Sequence, residues 1–106
     1  MIDVGLIQEM LDRLVQLQDA IRRALLIEDI RETQERFSLS VERAMQAFRA
    51  GHIQVDLRAL PEVMYHWAVN ELPVQVQNNS NFPKILQQLE LFKNIINNLL
   101  HPLEIS

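Results

Sequence analysis

Apolar residues in the first quarter of the chain recur with the period of a helix. Ile7, Met10, Leu14, Leu17, Ile21 and Leu25 follow one another at spacings of three and four, which stacks them on one face. Glu9, Asp12, Arg13, Gln16, Asp19 and Arg23 fall on the opposite face. At ~100° per residue the apolar set occupies an arc near roughly 240–340°. The pattern predicts a long first helix, capped by Asp3 and running to about Ile27. Leu11 and Val15, with Val4, widen the arc beyond what one packing partner needs. Leu14 and Leu17 are assigned to the core of the chain, and Leu11 and Val15 to a contact with a second copy.

The stripe then changes sides. Leu26, Ile30, Phe37, Val41, Ala44, Met45 and Phe48 centre near roughly 125° in the same frame, almost opposite the first set. Either the chain breaks near Glu28–Thr33 and a second helix turns back, or one continuous helix buries opposite sides at its two ends. Asp29 followed by Glu32 matches a capping box and favours a break, whereas no Gly or Pro marks one. A continuous helix would be about 70 Å long, too long for a small monomer. The break is the reading adopted. Gly51 is the C-terminal stop of the second helix, and the alternation of Ile53, Val55 and Leu57 suggests an ordered, extended connection.

Pro61 suits the start of a short third helix, Glu62 to Leu72, with Val63, Met64, Trp67 and Ala68 inward and Glu62, His66 and Asn70 on its polar side. Pro73 is expected to end it. Val74 to Asn81 then reads as a loop, with a two-stranded ribbon between Val74–Gln77 and His52–Leu57 as the weaker alternative. Asn79, Ser80 or Asn81 caps the last helix. That helix buries Ile85, Leu86, Leu89, Phe92, Ile96, Leu99 and Leu100 and stops at Pro102. The expectation is a single all-α domain over residues 1–106. It is an antiparallel helical bundle of about four helices, with a long first and a short third, and it is dimeric.

Composition agrees. The 106 residues are 48% hydrophobic and 23% charged, as in an ordinary globular chain, and 2 glycines leave little material for the tight turns of an all-β fold. The net charge of −4 disfavours nucleic acid as a primary ligand, since phosphate binders carry a basic surplus. Eight of the ten basic residues are arginines, all before Ala59, with acids interspersed. Without cysteine there are no disulfides, thiolate metal sites or thiol nucleophiles. The first ten residues lack the basic start of a secretory signal, and no apolar run reaches the roughly 18–20 residues of a membrane span. A cytoplasmic protein is expected.

Chemistry finds few candidates. His52, His66 and His101 are the histidines. Glu62 and His66 share a helical face, but a metal centre needs three or four convergent ligands, so no metal and no cofactor is assigned. Ser38, Ser40, Ser80 and Ser106 lack a glycine elbow or neighbouring base, so no catalytic residue is assigned either. Ser38 and Ser40 read as small polar surface residues. Glu28–Asp29 and Glu32–Glu35 read as solvated surface, and no small-molecule ligand is evident. Trp67 and Tyr65 could stack on a base, but Trp67 is in phase with the core.

These features fit a non-catalytic helical interaction module, a homodimeric adaptor or regulatory subunit that binds itself and then another protein. The competing reading is a small all-helical ribonuclease or a nucleic-acid-associated subunit. Its candidate pair is Arg58 and His66, but the spacing is too long for the Arg–His pair of HEPN-class ribonucleases and Trp67 stands where a polar Asn would follow the His, so no resemblance to that class is assigned.

Overall fold

The computed structural model describes residues 4–23, 26–51, 62–78 and 81–100. They form four helical rods packed against one another, with no strand among the described residues. The rods are α1 (Val4–Arg22), α2 (Ile27–Arg49), a composite third rod and α5 (Phe82–Leu100). The third rod runs from α3 (Glu62–His66) through a π-helical turn (Trp67–Glu71) into α4 (Leu72–Gln77). None of the described helices is long and apolar enough to cross a membrane.

The break between the first two helices falls earlier than the pattern suggested. The α1 helix ends at Arg22, and Leu26 is the N-cap of α2, its carbonyl accepting from Asp29 at 2.9 Å and Ile30 at 3.1 Å. Asp29 and Glu32 are therefore inside α2 and form no capping box. The Thr33 hydroxyl donates back to the Asp29 carbonyl at 2.7 Å instead. Glu28 and Asp29 still serve the helix start, as acids in the first turn complement the macrodipole. Leu26, counted with the apolar stripe, is 73% exposed because the N-cap lies outside the packed turns. The Arg43–Glu9 ion pair (3.9 Å) joins the end of α2 to the start of α1, so the two run antiparallel and the stripe reversal is a fold-back. Glu9 thus reaches across to α2, while Arg13 bonds Gln16.

The core takes one face from each rod. Leu14 and Leu17 of α1, Phe37 and Val41 of α2, Ala68 and Leu72 of the third rod and Leu89 and Phe92 of α5 are completely buried. Phe92 lies at the middle, edge-on to Phe37 (centroids 5.5 Å apart, rings at 75°) and tilted against Trp67 (6.5 Å). Edge-to-face rings of this kind add about 0.5–1.5 kcal/mol to simple burial. Three polar residues are buried with them: Gln18, Gln34 and Ser40.

Two termini are set by backbone conformation. Gly51, at φ +79°, ends α2 in the left-handed region and donates to Phe48 at 3.0 Å, as expected of a glycine stop. Asn81, at φ +53°, precedes α5, and its carbonyl accepts from Lys84 and Ile85 at 3.1 Å each. Asn is one of the few side chains that tolerate that region. The expected Asp3 cap, the His52–Leu57 connection, the Asn79 and Ser80 alternatives and the Pro102 stop lie outside the described residues.

Pro73 does not end the third helix. Val74–Gln77, expected as loop or ribbon, is helical, and the chain stays helical through Pro73 because the turn before it is wide. In an α-helix the proline ring would strike the carbonyl four residues back and leave it without a donor. Here the Leu72 N–H reaches five residues back to Trp67, which resets the register. Pro73 then sits in the first turn of a new α segment, where an N–H is not required.

Candidate functional site

The π-turn also exposes a bonding problem, and its solution underlies a surface groove among the described residues. With Leu72 donating to Trp67, the carbonyl of Ala68 would next be served by residue 73, a proline without an N–H. The hydroxyl of Ser38 on α2 fills the vacancy, donating to that carbonyl at 2.7 Å. Gln34, one turn earlier, donates its Nε2 to Ser38 Oγ at 2.8 Å. Gln34 is almost completely buried and Ser38 half-buried; Ser38 is therefore not the surface residue expected, and neither is Ser40, which is 3% exposed and donates to the Phe37 carbonyl.

This relay lies under a groove of about 510 Å³ between α2 and the third rod. Leu39, Val69 and Pro73 give it an apolar side, and Glu35 and Glu42 stand along its α2 edge. The Arg31 guanidinium closes one end by donating to the Gln77 carbonyl at 3.2 Å. At the far end of the same helix pair Arg49 stacks over Tyr65, 5.4 Å from the ring centre. The two rods therefore run antiparallel with the groove between them.

A second recess of about 440 Å³ separates the third rod from the start of α5, with Trp67, Glu71, Lys84 and Gln88 among its lining. On the α1 side of α5, the buried Gln18 donates Nε2 to Glu90 Oε2 at 2.9 Å. A buried amide held by a carboxylate fixes the register of these two helices, since sliding either would leave it unpaired.

Only some of the residues singled out from the pattern are among the described residues. Val15 is 42% exposed on the outer edge of α1, while Leu11, one turn earlier, is half-buried against the core. His66 is exposed and lies 3.3 Å from Asn70, Nδ1 to Nδ2; Trp67 beside it is buried. Arg58, His52 and His101 are outside the described residues, as is the side chain of Glu62. Glu28, Asp29, Glu32 and Glu35 are exposed, with Glu32 bound to Arg36 at 2.6 Å. No three His, Asp or Glu side chains converge among the described residues.

Comparison with protein-family models, with curated proteins and with solved structures finds no match for this chain.

The groove was missed because its defining feature is not periodic. The one available signal was Pro73 five residues after the inward Ala68, followed by Val74 and Val76 rather than by turn residues. A proline inside an apolar pattern that continues beyond it is as consistent with a widened turn as with a stop.

Proposed function

We propose that this protein is a non-catalytic helical interaction module that pairs with a second copy through the outer edge of α1 and works in the cytoplasm as an adaptor or regulatory subunit. The observation that carries the reading is Val15. It stands 42% exposed at the middle of α1, between Leu14 and Leu17, which are completely buried. Leu11, one turn before it, is half-buried and packs against the core, so Val15 is the exposed member of the pair. A helix that packs inward on one side and shows an aliphatic side chain on its flank is suited to a second helix partner.

Sedimentation of the wild-type chain across a hundredfold concentration range is the test. A concentration-dependent rise to twice the monomer mass is expected, with Val15→Glu sedimenting as a monomer that keeps its helical circular dichroism. A wild-type monomer throughout would overturn the homodimer. The ribonuclease alternative predicts RNA cleavage that His66→Ala abolishes.

A further inference from the structure

We infer that the groove between α2 and the third rod is a docking site for a basic amphipathic helix of a partner protein. Its shape comes first. The α2 wall runs from Arg31 to Glu42, three helical turns or about 16 Å, and is open along that length. Its apolar residues do not close over one another: Leu39 is 47% exposed and faces the groove with Val69 and Pro73. The polar atoms nearest the floor are already committed, Gln34 to Ser38 and Ser38 to Ala68. What the groove offers an occupant is therefore apolar contact at Leu39, Val69 and Pro73, bordered by charged side chains.

Charge then selects the occupant. Glu35 and Glu42 line the groove seven residues apart, with Leu39 between them, and neither has a partner among the described residues. Arg31, four residues before Glu35, donates to the Gln77 carbonyl instead of to Glu35, and its charge stays at that end of the groove. Glu28 continues the row of acids one heptad earlier, and is exposed. Acids repeating every seven residues lie along one line of a helix, the line that a helix packed at a shallow angle follows. The complementary occupant is a helix with Lys or Arg seven apart, flanking an aliphatic residue that meets Leu39. Nucleic acid would bring phosphate against two free carboxylates and is disfavoured by the same charges. This groove is a different face from the α1 edge, so the inference stands or falls apart from the homodimer.

The test uses the full chain and a labelled helical peptide of Leu, Ala and Lys, with Lys seven apart, against a control with Glu in the Lys positions. Fluorescence anisotropy should show saturable binding of the Lys peptide, weakened by salt, and little binding of the Glu peptide. Glu35→Gln/Glu42→Gln and, separately, the exposed-site change Leu39→Ser should each weaken it about tenfold or more. Circular dichroism checks that both remain folded. Asp12→Asn/Glu71→Gln removes the same charge from other faces and should leave binding unchanged, as should Val15→Glu. No binding, equal loss with the control pair, or full binding by the Glu35/Glu42 variant would overturn the proposal. So would self-association that the Glu35/Glu42 variant abolishes, because the occupant would then be a second copy.

Discussion

Ser38 Oγ lies 2.7 Å from the carbonyl oxygen of Ala68, thirty residues away, and replaces a backbone donor that the third helix lacks. The shortage has two causes within the helix: Leu72 donates to Trp67, and the next residue is Pro73. A side chain on α2 thus completes the hydrogen bonding of its neighbour. The two rods are joined by a directional contact in addition to apolar packing.

Removing that hydroxyl should be costly only while the proline is present. Ser38→Ala leaves a shielded carbonyl without a donor, an expected loss of ~1–2 kcal/mol and roughly 5–15 °C in Tm. In a Pro73→Ala background the helix regains an N–H for Ala68, whether it keeps the wide turn or relaxes to an α register. The same Ser38→Ala change should then cost close to nothing. Thermal melts of the four proteins in the cycle check this, and additive effects would refute the vacancy argument.

Gln18 and Glu90 support a second comparison. Glu90→Ala removes the acceptor of an amide that is 1% exposed, and should cost about 1–3 kcal/mol. Glu90→Gln keeps an acceptor oxygen in place and should cost under about 1 kcal/mol. Urea unfolding of both variants decides it.

The start of α2 is open to improvement. Leu26 holds the N-cap position with φ −56° and ψ 145°, is exposed, and makes no side-chain capping bond. Leu26→Ser or Leu26→Asp should stabilise the fold by about 0.5–1 kcal/mol, read as a rise in Tm. At the other end, Gly51→Ala meets no atom within 4 Å, so its cost is conformational strain alone, about 1–2 kcal/mol.

Leu17 is completely buried in α1, and Leu17→Glu forces a charge into a dry site without a partner. The loss approaches the ~5–15 kcal/mol of stability typical of a domain. Circular dichroism should show an unfolded chain or the protein should be insoluble.

Much of the fold was legible because it depends on period and on special residues. The stripes of α1 and α5, the turn of the burial face after Ile21 and the stop at Gly51 all follow from local rules. The hidden parts depend on a partner in space. Gln18, Gln34 and Ser40 are buried because each meets an acceptor or closes a bond within its own turn, which their spacing cannot show. The position of the joint before Leu26 carries no cap signal. Pro73 is ambiguous until Ser38 is placed opposite. The groove inherits that ambiguity, since Pro73 is part of its wall.

A wide turn also has an evolutionary signature, because it holds one residue more than the α-helix it interrupts. A relative with a regular third helix would be one residue shorter between Trp67 and Pro73. It would have no reason to keep a hydroxyl at the position of Ser38, and good reason to lose the proline. Gap, hydroxyl and proline should be inherited together, so that any homologue carrying one without the others would show a different third rod and a different groove.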